Sequence, residues 1–103
     1  MGTSYVSTFL QYLKYEKRYS PLTSLAYEKN LRDFFAYLLT TYAIEDIKQI
    51  KHLHIRSWLA SLKEAKQTAS TINRKQSVLR SFFKYAQTQN WIFTNPISTL
   101  RSL

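Results

Sequence analysis

Asn73, Ser77, Arg80 and Lys84 are spaced four, three and four residues apart. On a helix turning about 100° per residue they fall within roughly 60° of arc. Arg74 and Ser81 border them, and no Asp or Glu follows Glu64. A stripe of amide, hydroxyl and cation with no acid suits the groove of a nucleic-acid duplex. Arg and Lys take phosphate oxygens or guanine edges, Asn pairs with adenine, and Ser or Thr anchors phosphate. Uncapped N–H groups near Ser70 and Thr71 would add a phosphate site at the start of the same helix. The alternative is a solvated basic face of the kind many soluble domains carry.

The same region belongs to a repeat. "LRDFFAYLLT" at Leu31 to Thr40 returns as "LRSFFKYAQT" at Leu79 to Thr88. Thr23 precedes Leu31 by eight residues and Thr71 precedes Leu79 by eight, while Leu13, Lys14 and Lys17 correspond to Leu62, Lys63 and Lys66. Helical periodicity accounts for the repeated Leu and Phe, because both helices need an apolar face. It does not account for the arginines, since Arg32 and Arg80 each fall on the flank of their helix. Their surroundings differ. Glu28 precedes Arg32 by four residues and Lys29 precedes Asp33 by four, so the earlier helix can neutralise itself through surface pairs. The later stripe has no acid available and is expected to have no internal partner.

Other chemistries are poorly supplied. There is no cysteine, hence no disulfide and no thiolate metal site. His52 and His54, two apart on a helix, point about 200° from one another with nothing to complete a metal site. No glycine-rich phosphate loop or paired-carboxylate constellation is present. The eight tyrosines are core or rim residues, because a phenol near its ordinary pKa of about 10 is a poor nucleophile unaided. No metal and no cofactor are expected.

The elements that position these residues can be read in order. Tyr5, Phe9, Tyr12 and Leu13 predict a first helix over 4–16. Ser20 followed by Pro21 starts a long second helix, with Tyr27, Leu31, Phe34, Phe35, Leu38 and Tyr42 on one face and Leu25, Lys29, Arg32 and Ala36 on the other. Ile44, Ile47 and Ile50 belong to a loop or short helical turn packing on the core. A third helix runs from about His52 to Ala65, with Ile55, Trp58, Leu59 and Leu62 inward. Thr68 or Ser70 caps a fourth, reaching about Gln89, whose inner face is Ile72, Leu79, Phe82, Phe83 and Ala86. Trp91, Ile92 and Phe93 fold back onto the bundle before Pro96. The fold class is all-α: a compact four-helix domain of two crossed helical hairpins with a short C-terminal tail.

With 103 residues, 45% of them hydrophobic, the chain has enough apolar material for one domain with its own core. Its longest apolar run, Phe34 to Leu39, is six residues against the roughly twenty of a membrane span. No secretion signal is recognisable, so a soluble cytoplasmic protein is expected. The net charge of +9 attracts polyanions, and the cations Lys66, Arg74, Lys75, Arg80, Lys84 and Arg101 are unopposed after Glu64. A basic helix lying on a membrane is disfavoured because the apolar faces are needed inside.

"YSPLTSLAYEKNLRDFFAYL", "HIRSWLASL", "STINRKQSVLRSFFKYA" and the late "NP" resemble the N-terminal core-binding domain of tyrosine site-specific recombinases, the integrase and Xer-type family with a SAM-like helical fold. The resemblance runs from about Phe9 to Pro96 and is most specific in "TINRKQSVLRSFFKYA". It implies one half of a clamp on double-stranded DNA, with the second and fourth helices against the grooves. Thr23, Lys29, Arg32, Lys66, Thr71, Asn73, Arg74, Ser77, Arg80 and Lys84 are then the residues to expect near DNA. The family cuts DNA with a tyrosine supported by two arginines, a lysine and a His-x-x-Arg element in a separate, following domain. Here the residues three after His52 and His54 are Ile55 and Ser57, so that catalytic domain is absent and this chain should not cleave. The partners implied are duplex DNA and other recombinase subunits, with the isolated chain a monomer. The alternative function is a helical protein-interaction domain mediating subunit assembly.

Overall fold

Ser20 and Pro21 do what their types dictate. The Ser20 side chain accepts the Thr23 N–H at 3.2 Å, and Pro21 occupies the first helical position, where its missing N–H is no loss. The computed structural model describes residues 2–100, and among them every regular element is helical. α1 is Gly2–Tyr15, α2 Pro21–Tyr42, α3 His52–Glu64 and α4 Ala69–Thr88, with a single 3₁₀ turn at Ile47–Gln49. Arg101, counted above among the unopposed cations, lies outside the described residues.

The chain forms two compact units, Met1–Glu45 and Asp46–Leu103. In the first, α1 packs against α2. Val6, Phe9 and Leu13 of α1 are buried, as are Leu31, Phe34, Phe35 and Leu38 of α2. Tyr27 is half-buried, with its ring 6.2 Å from that of Phe9 and 5.8 Å from that of Tyr19. Tyr42, expected on the inner face, is exposed: it is the last residue of α2, where the apolar stripe has run past the material it covers.

In the second unit α3 packs against α4. Ile47, which opens the 3₁₀ turn, and Ile50, which follows it, are buried, as are Ile55, Trp58 and Leu62 of α3. Leu59 is only half-buried. α4 buries Ile72, Leu79, Phe82, Phe83 and Ala86 as the spacing predicts, and adds Val78 and Gln76, a polar side chain only 2% exposed. The tail after α4 folds back through Trp91, whose ring lies 5.4 Å from Tyr85 and 6.4 Å from Phe82, and through buried Ile92. Phe93 does not follow: it is 82% exposed, and Ile97 takes an inward place instead. Asn95 fixes that turn by accepting the Ile97 N–H at 3.0 Å, while His52 Nδ1 lies 3.3 Å from the Pro96 carbonyl and 3.2 Å from Thr99 Oγ1.

A chain with one glycine must end its helices on other residues. Arg18, Ala43, Lys66 and Asn90 all adopt positive φ, between 55° and 65°, one after each α-helix. At Lys66 and Asn90 the bonding is that of a Schellman motif. The Gln67 N–H reaches the Leu62 carbonyl and the Lys66 N–H the Lys63 carbonyl, and Trp91 and Asn90 repeat the pattern on Ala86 and Gln87.

Candidate nucleic-acid interface

The two units divide the charge unequally. Met1–Glu45 holds five Lys and Arg against four acids, a net of +1, whereas Asp46–Leu103 holds ten against two, a net of +8. Nearly the whole positive field therefore belongs to the unit that contains α3, α4 and the tail.

On α2 the candidate residues are occupied. Glu28 Oε2 accepts from Arg32 Nε at 2.9 Å and from Nη2 at 2.7 Å, and Lys29 Nζ lies 3.8 Å from Asp33. The Thr23 hydroxyl is 3.0 Å from that of Ser20. This face is also partly apolar, with Leu22 79% and Leu25 62% exposed. Leu25 borders a groove of about 340 Å³ between α1 and α2, lined also by Leu10, Lys14, Tyr19 and Glu28.

On α4 the stripe falls as the spacing predicts. Ser77, Arg74 and Lys84 are exposed; Asn73, Arg80 and Ser81 are half-buried. Two corrections apply. The N–H of Thr71 is not uncapped: Thr68, rather than Ser70, caps α4 and accepts it at 3.2 Å, because Thr68 still has the extended backbone that aims its hydroxyl at the first turn. Nor is the stripe without internal partners. Arg80 Nη2 donates to the main-chain carbonyl of Leu100, brought within reach by the folded tail, and the Ser77 hydroxyl donates to the Asn73 carbonyl at 3.1 Å. Among the described residues, Lys66, Arg74 and Lys84 have no ion-pair partner, and they remain the cations most available to an anion.

The repeat extends into the hydrogen bonds. Ser20 and Thr68 cap their helices in the same way, on Thr23 and Thr71, and the two hydroxyl pairs are both 3.0 Å apart. Two residues before each cap stands a cation with positive φ, Arg18 or Lys66. The helix starts correspond at an offset of forty-eight while their charge environments differ.

Sequence reasoning passed over α3, read only for its core face. Arg56 and Lys63 lie on its exposed side, seven residues apart, and neither has an ion-pair partner among the described residues. The signal was available, because the same absence of acids that marks α4 covers Lys63 through Leu103 but for Glu64. The histidines separate as their spacing requires, His52 to the tail and His54 to its own helix start, where its Nδ1 accepts the Lys51 N–H at 2.9 Å. Partial burial, with Lys51 nearby, holds the His54 pKa below its ordinary value. Among the described residues no three His, Cys, Asp or Glu side chains group to hold a metal, and no helix is long and apolar enough to cross a membrane.

Comparison with known proteins agrees with this architecture. Residues 6–90 match the family described as "Phage integrase, N-terminal SAM-like domain". "Tyrosine recombinase XerC" of Halalkalibacterium halodurans is 37% identical over 92 residues, 89% of this chain and 30% of the relative. The protein of the same name from Listeria monocytogenes serotype 4a is 41% identical over 90 residues, 87% of this chain and 30% of its own, and that of Oceanobacillus iheyensis is 32% identical over 96 residues, 93% and 31%. No solved structure matches the chain. The chain thus spans about a third of the length of these curated relatives. With its four helices, its repeated helix starts and a match over most of its length, the chain belongs to the phage integrase N-terminal SAM-like domain family.

Proposed function

We propose that residues 1–103 act as a DNA-binding module of a tyrosine recombinase, holding duplex at the recombination site while strand cleavage is carried out by a catalytic domain outside this chain. The observation that carries the reading is the exposed, acid-free face of α4 in a unit of net charge +8. Lys66, Arg74 and Lys84 are its principal phosphate ligands, with Thr71, Asn73, Ser77 and Arg80 between them. Thr23, Lys29 and Arg32 on α2 contribute less, because Glu28 and Asp33 already occupy its cations. Strand cleavage is assigned to that outside domain and not to this chain. A cytoplasmic setting follows from a DNA partner.

The test is a fluorescence-anisotropy titration of a duplex of about 20 base pairs at two salt concentrations. Binding that weakens steeply as salt rises supports the reading. Absence of binding even at low salt rejects it.

A second reading is favoured by one observation. Leu22 and Leu25 stand exposed on α2 in a unit of net charge only +1, with the α1–α2 groove beside Leu25. That face suits a neighbouring recombinase subunit on DNA, while the isolated chain is a monomer. A sedimentation series showing a concentration-dependent oligomer that Leu25→Lys abolishes would shift the assignment towards assembly.

A further inference from the structure

We propose that Arg80 is a latch that exchanges the tail for DNA. In the free protein its guanidinium holds the Leu100 carbonyl; when a duplex lies on α4 it turns to a phosphate and releases the end of the tail. The proposal rests on the reading of α4 as a DNA surface.

The geometry sets up a competition. Arg80 lies within the arc of Asn73, Ser77 and Lys84, yet it is half-buried, and its Nη2 is given to a residue twenty positions later. The tail is held up to Thr99: Ile92 and Ile97 are buried, Asn95 turns the backbone, and His52 stands against Pro96 and Thr99. Leu100, the last described residue of the tail, is held at two points. The Leu100 N–H donates to the Ile97 carbonyl at 3.0 Å, and the Leu100 carbonyl meets Arg80. A neutral carbonyl is the weaker partner for a guanidinium, since a phosphate oxyanion adds charge at the acceptor end to the charge already present on the donor and can be gripped in a bidentate fork. The exchange therefore runs towards DNA, and loosens the turn of the tail that ends at Leu100. Binding on one face of the unit would in this way alter the freedom of the segment that follows it.

Two measurements on the 103-residue chain test this. In the first, amide hydrogen exchange is compared in the free protein and with saturating duplex. The Leu100 amide should exchange several-fold faster with DNA, while amides in the middle of α4 do not. In the second, a chain ending at Ser98 with an amidated terminus frees Arg80 at the outset, and it is compared with the 103-residue chain carrying Arg101→Gln, so that both lack that cation. Loss of one competing hydrogen bond, about 1 kcal/mol, corresponds to duplex binding about five-fold tighter, and the gain should vanish in an Arg80→Gln background. DNA binding with Leu100 exchange unchanged or slowed, and no gain from shortening, would overturn the latch and leave the DNA reading intact. Failure of every variant to bind duplex would overturn both.

Discussion

The unequal charge of the two helices in the repeat makes a prediction that separates the arginines. Binding of a basic protein to duplex releases counterions, so the logarithm of affinity falls with the logarithm of salt by about 0.9 for each phosphate neutralised. Lys66, Arg74 and Lys84 are exposed without ion-pair partners among the described residues, whereas Arg32 is held by two bonds to Glu28. With Arg80 turned to a phosphate as well, four phosphate contacts give a slope of about −3.6, or a loss of about 150-fold in affinity between 50 and 200 mM salt. Replacing Arg74 or Lys84 by Ala should each bring the slope down by about 0.9, and replacing both should leave about −1.8. Arg32→Ala should leave it nearly unchanged while costing about 0.3–0.5 kcal/mol of stability, the worth of a helical surface pair. Anisotropy titrations at four salt concentrations measure the slopes, and urea unfolding measures the stability. If Arg32→Ala flattened the slope as much as Arg74→Ala, the assignment of DNA contact by acid-free surroundings would be wrong.

Three further outcomes are expected. Lys66→Gly should stabilise the fold by about 0.5–1 kcal/mol, because relief of a left-handed non-glycine residue is worth about 1–2 kcal/mol and the added freedom of the unfolded chain takes back part of it; thermal unfolding checks this, independently of the lost cation. His54 is held below its ordinary pKa of about 6.5, so the unfolded chain takes up its proton first as pH falls. Stability is thus full above about pH 6.5 and declines below it, and His54→Gln, which keeps an acceptor for the Lys51 N–H, should remove that part of a melting-temperature profile. Ile97→Ala should cost about 2–5 kcal/mol as a core truncation, and Phe93→Ala less than about 0.5, as urea titration would show.

Legibility in the sequence followed the range of the interaction. Ser20–Pro21 could be read because cap and helix are adjacent, and the inner face of α4 because five of its seven buried residues repeat at helical spacing. Gln76 escaped because its burial depends on its neighbours and not on its polarity. Phe93 turns outward and Ile97 inward for reasons that periodicity does not carry, since it stops with the helix at Thr88, after which the path depends on the Asn95 turn. Thr68 and Ser70 are equivalent as residue types, and only the backbone angle chooses between them. Within the candidate interface, the Glu28–Arg32 pair was legible at four residues' separation, while the Arg80–Leu100 bond, across twenty, was not.

The division of charge between the units also bears on folding. Ten cations against two acids repel one another most when the second unit is compact, so its folded state is strained by the same field that draws a polyanion. Added salt screens that repulsion and should raise the melting temperature while it loosens the hold on DNA. The unit's stability and its affinity therefore respond to ionic strength in opposite directions, and duplex acts on it as a folding ligand as well as a target.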